Sequence, residues 1–407
     1  MDSYLFYPYL IIFILLLAYD ISIAKRISVS TLVVVVVVFI ILLPSSQHDD
    51  GWLWRFALLG VVASVFIEYL FLARWAKSKS YYFNDNDNVN CNITILGVAG
   101  LLVYSWHAMS LIIESGGFID ALIRARVDQY LTEGVLESSF FKAVSYILLP
   151  FTIITIGDYH LRGKIKNFYI AMSIMCLYLL MVAETRLPLL FLILTPVYIW
   201  FFKLKVIKRY IAFFVMGPIG LLLFILYVNL GALLRSGVAY GLSLEKLLSN
   251  SSFVEQMGYR AWISDVVRYV DVHGIDYGWQ WTAAPWLNFI PRFIWEGKPI
   301  TSTSNRLHEE VGGMILGDGN YITTYTIFGE GYHQLGYLGV ALSPIILVGL
   351  YYTCYRLVRS IRGSEFFMVW MLFRFIPFIR AEQPFFMVMV FAAEIFLIKL
   401  ISRFKWI

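Results

Sequence analysis

Apolar stretches separated by short polar connections run the whole length of the chain. Those long enough to cross about 30 Å of hydrocarbon cover roughly Leu5–Ile23, Ile27–Leu43, Trp52–Ala73, Ile93–Ile113, Phe141–Gly157 and Phe168–Ala183. Leu187–Phe202, Tyr210–Gly231, Leu335–Leu357, Phe366–Ile379 and Phe385–Ile401 continue the series. The pattern predicts an all-α fold: a polytopic membrane helical bundle of about eleven transmembrane helices, with residues 1–407 forming one integral membrane domain. Pro188, Pro196, Pro218, Pro344 and Pro377 fall inside or beside these spans. They predict kinks or half-helices, which a bilayer tolerates where neighbours satisfy the freed carbonyls.

The polar connections set the orientation. Lys25 and Arg26, then Arg74, Lys77 and Lys79, then Arg162, Lys164 and Lys166 occupy every second loop. Lys203, Lys205, Lys208 and Arg209, then Arg356, Arg359 and Arg362, then Arg403 and Lys405 continue the alternation. The positive-inside rule makes these loops cytoplasmic, with the N-terminus outside and the C-terminus inside. The first span lacks a basic n-region and a small-residue cleavage site, and a Lys-Arg pair follows it, so a retained helix is expected. Of the outward connections, residues 232–331 form one large loop, expected to contain short helices, and loops of that length usually carry function. A second outward loop, from Glu114 to about Phe140, places Ile119, Leu122, Ile123, Val127, Tyr130 and Leu131 at helical spacing, which predicts an amphipathic interfacial helix.

Composition narrows the picture further. A chain that is 60% hydrophobic and 14% charged excludes a soluble globular protein. Cys91, Cys176 and Cys354 lie in or beside apolar runs without metal or redox spacing, so they are expected in the core. The net charge of +5 is explained by loop location, without nucleic acid. The NDNDNVN run reads as a solvated cytoplasmic linker.

The outward loops and nearby span ends are rich in arginine: Arg124, Arg126, Arg186, Arg235, Arg260, Arg268, Arg292, Arg306 and Arg380, against Lys142, Lys246 and Lys298. A planar guanidinium fork suits bidentate recognition of phosphate or carboxylate, so the bias points to an anionic ligand outside the membrane. Asp120, Arg124 and Asp128 fit a plain charge ladder equally well. Gln256, Arg260, Ser264 and Arg268 share one helical face, which equally fits the wet side of an amphipathic helix. Arg186, in ETRLP between two apolar runs, has little loop to solvate it and marks a substrate path better than a snorkelling side chain. In NFIPRFIWEGKP, Pro291 and Pro299 preset a rigid extended turn that holds Arg292 and Lys298 near the membrane, though a structural re-entrant loop would look similar. TIFGEGYHQLGYLG brings a carboxylate and an imidazole together. If its helix has begun, Glu330 and His333 at i, i+3 face one side. His273, His308, Glu309, Glu310 and Asp318 are the other titratable candidates, without a sharp motif.

Four of these pieces, LIRARVDQY, ETR, IPRFIWEGKP and GEGYHQLGYLG, together with the topology, resemble the Wzy-type O-antigen and oligosaccharide repeat-unit polymerases. The resemblance implies periplasmic glycosyl transfer in the inner membrane, from an undecaprenyl-diphosphate-linked oligosaccharide to a second lipid-linked repeat unit. It puts Glu330 at the motif glutamate, where Glu330 or the nearby imidazole of His333 is the catalytic base, and puts Arg124, Arg186, Arg292 and Lys298 in phosphate or glycan binding, where the arginine bias adds Arg235, Arg260 and Arg268. Membrane lipids are further partners, and the plan admits a chain-length regulator protein. No cofactor or metal is implied. The same plan also fits an O-antigen ligase, and a lipid-linked oligosaccharide flippase is the alternative from another class.

Overall fold

The computed structural model describes residues 3–24, 27–35, 37, 51–76, 91–118, 121, 136–182, 187–215, 259–283, 287, 295, 297, 326–358, 361, 363–381 and 384–403. Among these every regular element is helical. They are α1 (Ser3–Tyr19) with a π-turn (Asp20–Ala24), α2 (Val29–Val35), α3 (Gly51–Ala76), α4 (Cys91–Glu114), α5 (Leu136–Leu161) and α6 (Ile165–Val182). α7 (Leu187–Lys203), α8 (Tyr259–His273), α9 (Trp279–Thr282), α10 (Thr326–Val358), α11 (Ser364–Ala381) and α12 (Pro384–Arg403) follow, and a helical run covers 206–215.

Trp52–Leu70, Cys91–Glu114 and Thr326–Val358 are long and apolar enough to cross a membrane, and Tyr7–Ser22, Ile147–Leu161, Ile165–Leu179 and Leu189–Lys203 are shorter apolar helices. These helices mark a membrane protein. α4 shows why: Ile95, Leu102, Trp106, Met109 and Ile113 are all more than half exposed down one face. Gly97, Gly100, Leu101, Tyr104 and Ala108 are buried on the other. A helix that exposes a stripe of large apolar side chains along its whole length is stable only where lipid replaces water.

The chain divides into two units. The first comprises Met1–Phe71, Trp200–Gly349 and Phe375–Phe386, the second Leu72–Ile199, Leu350–Arg374 and Met387–Ile407. In the second unit, Gly97 and Gly100 of α4 meet Thr155 and Thr152 of α5 with no room for a Cβ. Small residues let the two backbones approach, and the Thr152 hydroxyl donates across the crossing to the Gly97 carbonyl at 3.3 Å. Elsewhere in this unit Arg374 Nη1 pairs with Glu394 Oε1 at 3.0 Å. The guanidinium lies between the rings of Trp370 and Phe391, 4.5 and 4.9 Å from their centroids. In the first unit Tyr9 donates to the Trp54 carbonyl at 2.6 Å, and Gly60 of α3 abuts the backbone of Ala341 in α10.

Helix α10 is not one span. Leu335 (φ −140°, ψ 18°) and Gly336 (φ 60°, ψ −146°) break it into runs 326–334 and 337–358. Gly336 takes the left-handed conformation that only glycine adopts freely. The runs fold back on each other: a Cβ on Gly331 would stand 2.6 Å from the Gly339 carbonyl oxygen. The Ser343 hydroxyl, placed to bond both carbonyls, lies 3.0 Å from the Ile327 oxygen and 2.8 Å from that of Gly339. The first run rises only about 13 Å and cannot cross a bilayer, whereas the second rises about 33 Å. A span beginning near Leu335 agrees with this second run.

Several expectations are corrected. The break falls at Leu335–Gly336 and the helix runs on through Pro344, because the turn is set by a glycine and not by a proline. Residues Leu136–Phe140, expected in a loop, begin α5. Cys354 is buried, Cys176 is half-buried and Cys91 is exposed at the start of α4, on the face opposite the buried Ile93. Most of the 232–331 loop, the segment 122–135 and the NDNDNVN run lie outside the described residues.

Candidate functional site

The described part of the large loop converges on the short run 326–334. Thr326 starts it as an N-cap, its hydroxyl accepting from the amides of Phe328 and Gly329 at 3.2 and 3.4 Å. At the other end the carbonyls of His333 and Gln334, orphans of a last helical turn, accept from the amides of Asp276 and Gly278 at 2.9 and 3.1 Å. The loop after α8 therefore caps the helix that carries the candidate acid and imidazole. Helix α8 is held by Ile263, Val266 and Val270, all buried, at the i, i+3, i+7 spacing of one face.

Glu330 and His333 lie in one helical run, so the i, i+3 expectation is met, and both are buried, 4% and 1% exposed. Glu330 Oε1 accepts from the Trp281 indole N–H at 3.0 Å. The Gln334 amide nitrogen lies 3.4 Å from Asp276 Oδ2 and 3.0 Å from His333 Nδ1. An ionised carboxylate only accepts, so Asp276 turns the NH2 of Gln334 toward itself and the second hydrogen reaches Nδ1. A neutral His333 then carries its proton on Nε2. Asp276 Oδ2 is 3.7 Å from Nδ1, too long for a hydrogen bond but close enough to stabilise an imidazolium.

Tyr269 tilts toward His333, with ring centroids 5.9 Å apart, and stacks on the exposed His273 at 4.2 Å. Tyr277, next to Asp276, is 84% exposed with φ 51°, a left-handed backbone that costs a non-glycine residue about 1 kcal/mol. Such outliers collect where a neighbouring group must be aimed.

The other sequence candidates are less defined. Arg268 is exposed on α8. Arg260 lies on the same helix, with only its backbone described. Arg124, Arg186, Arg235, Arg292 and Lys298 lie outside the described residues, as do His308, Glu309, Glu310 and Asp318. Sequence reasoning missed Asp276, Trp281 and Gln334, since only folding brings Asp276 and Trp281, about fifty residues upstream, onto the short helix. Among the described residues no group of three or more His, Cys, Asp and Glu is placed to hold a metal ion.

No match is found among known families, curated proteins or solved structures.

If Trp281 holds the Glu330 carboxylate in place, Trp281→Phe keeps the ring and loses the donor. The unfolding midpoint in mixed micelles should fall, by about 1.5–3 kcal/mol of stability, the worth of one hydrogen bond to a charged group.

Proposed function

We propose that the chain is a polymerase of bacterial surface polysaccharide that joins undecaprenyl-diphosphate-linked oligosaccharide repeat units by periplasmic glycosyl transfer. The observation that carries this reading is the buried acid and imidazole on a short, capped helix that turns back at Leu335–Gly336 after rising only about 13 Å. They stand in GEGYHQLGYLG, one of the segments that resemble the Wzy-type polymerases. The reading includes about eleven spans, a periplasmic N-terminus, a cytoplasmic C-terminus, and the 232–331 loop facing the periplasm of the inner membrane.

In this mechanism the acceptor hydroxyl gives its proton to the Glu330 carboxylate as its oxygen bonds the anomeric carbon of the donor. The bond from that carbon to the diphosphate oxygen breaks, and the lipid diphosphate leaves with the electron pair. Trp281 N–H keeps Glu330 aimed, while Asp276, Gln334 and His333 accommodate positive charge beside it. Arg124, Arg186, Arg235, Arg260, Arg268, Arg292 and Lys298 are the cations assigned to the departing diphosphate and the glycan. Holding two lipid-tethered substrates together supplies much of the rest of the barrier reduction. Tyr277, exposed beside the cluster, offers a ring face on which a sugar can stack.

The test is deletion of the gene in its host, complementation with wild type, Glu330→Gln and Arg292→Ala, and separation of the surface polysaccharide on a gel. Collapse of the ladder to one repeat unit on lipid A core, not rescued by stably expressed variants, is the expected result. Loss of every repeat unit from the core favours a ligase or a flippase. An unchanged ladder removes the proposal.

A further inference from the structure

Tyr277 occupies a backbone position that the fold gives no reason to fill with an aromatic ring. The Trp279 amide donates to the Asp276 carbonyl at 3.1 Å, which closes a four-residue turn. Both central residues lie in the left-handed region, Tyr277 with φ 51° and Gly278 with φ 78° and ψ 11°. Positive φ at both positions is the mark of the I′ class, in which Asn-Gly and Gly-Gly are the favoured pairs. Glycine has no Cβ to strain, and asparagine tolerates this conformation through its short polar side chain. Gly274 and Gly278 fill the neighbouring left-handed positions, and tyrosine stands where asparagine or glycine is expected.

The strained residue gains no contact inside the protein. Tyr277 is 84% exposed, and among the described residues its side chain has no hydrogen bond, ion pair or ring contact. Its two neighbours are both fixed to the helical run 326–334, through the Asp276 and Gly278 amides that donate to the His333 and Gln334 carbonyls at 2.9 and 3.1 Å. Trp281, just beyond the turn, bonds Glu330. The turn therefore holds the Tyr277 ring outward from the one segment that touches both the acid and the imidazole.

His273, four residues earlier, adds a polar group. Its ring stacks on Tyr269, with 18° between the planes, and its Nδ1 lies 3.1 Å from the Tyr269 carbonyl oxygen. A carbonyl only accepts, so Nδ1 carries the proton, and in the neutral ring Nε2 is left as an acceptor. Four residues of chain span at most about 14 Å, so one oligosaccharide can lie across both rings.

An outlier of this kind persists where the position of the side chain serves a ligand. A pyranose fits the chemistry, since its C–H face stacks on an aromatic ring while its hydroxyls donate to an acceptor at the edge. We propose that Tyr277 is the platform on which one pyranose of the bound glycan stacks, with His273 Nε2 accepting from a hydroxyl, so that the I′ turn holds this sugar beside Glu330. An interfacial membrane anchor has no need of this position. Val272, 78% exposed on the regular helix α8, offers a site for one without backbone strain. That the glycan is lipid-linked and reacts at Glu330 rests on the glycosyl-transfer reading, whereas a Tyr277-dependent glycan site does not.

The test uses the full-length protein in lipid nanodiscs and, as probe, the single-repeat-unit oligosaccharide released by mild acid from the host's lipid-linked pool. Saturation-transfer NMR titration gives its Kd for wild type, Tyr277→Asn and Tyr277→Phe, and thermal unfolding is followed in parallel. Tyr277→Asn should raise Kd about tenfold, the scale of one aromatic contact, while Tyr277→Phe, which keeps the ring, stays within about twofold of wild type. The unfolding temperature of Tyr277→Asn should equal or exceed that of wild type, because asparagine suits the turn better. Equal Kd for Tyr277→Asn and wild type, or no binding by wild type, overturns the proposal. So does a fall in unfolding temperature in Tyr277→Asn that Tyr277→Phe does not share, since the ring then supports the fold. Tyr277-dependent binding with an unchanged polysaccharide ladder in the deletion host keeps the site and removes the polymerase. A collapsed ladder with no loss of binding in Tyr277→Asn does the reverse.

Discussion

Gly339→Ala will cost the protein about 3 kcal/mol or more of stability, the upper end of overpacking losses, because the added Cβ meets the Gly331 carbonyl and Cα, both backbone. No side chain can rotate away, so one run of α10 must move. That motion also pulls Gln334 and His333 from the amides of Gly278 and Asp276 that cap them. Reversible unfolding in mixed micelles measures it against Gly349→Ala in the same helix, where no atom lies within 4 Å of the new Cβ. The control should be neutral or gain up to about 1 kcal/mol from the lower backbone freedom of alanine. Equal behaviour of the two variants would show that the runs do not pack back to back.

The second large effect is expected at Arg374. Arg374→Met leaves Glu394, whose side chain is 9% exposed, without its cation, and should cost about 3–5 kcal/mol, the usual penalty for an orphaned buried charge. The double variant Arg374→Met/Glu394→Met should recover most of that loss, because two apolar side chains satisfy an apolar site. The four proteins form a double-mutant cycle, and a coupling near zero would mean that the two charges do not depend on each other. The Trp370 and Phe391 rings flanking the guanidinium add cation–π attraction, so Arg374→Lys should rescue only part of the stability.

Much of the fold was legible because its cause is local. Apolar length predicted helices close to those seen at Ile93–Ile113 and Phe366–Ile379, where the observed elements are Cys91–Glu114 and Ser364–Ala381. Proline misled at Pro344, since a bilayer helix can absorb it, whereas the true break rests on Gly336 and its left-handed backbone. Glu330 and His333 could be found because they sit three residues apart in one polar interruption of an apolar run. Their partners could not: nothing in GIDYGWQW indicates that Asp276 will reach His333 and Trp281 will reach Glu330. Arg374 and Glu394 passed unnoticed. Single charges inside apolar stretches carry no periodic signal, and their pairing depends on which helices touch.

What the sequence determined by itself is the solvent. A chain with this apolar content must place its helices in lipid, since no protein interior of this size could cover them all. Tertiary structure alone decided which apolar run would fold back as a hairpin and which remote side chain would bond the buried Glu330 carboxylate. Those outcomes follow from backbone approach at Gly331 and Gly339 and from hydrogen bonds between segments remote in the chain, interactions that exist only once the helices are packed.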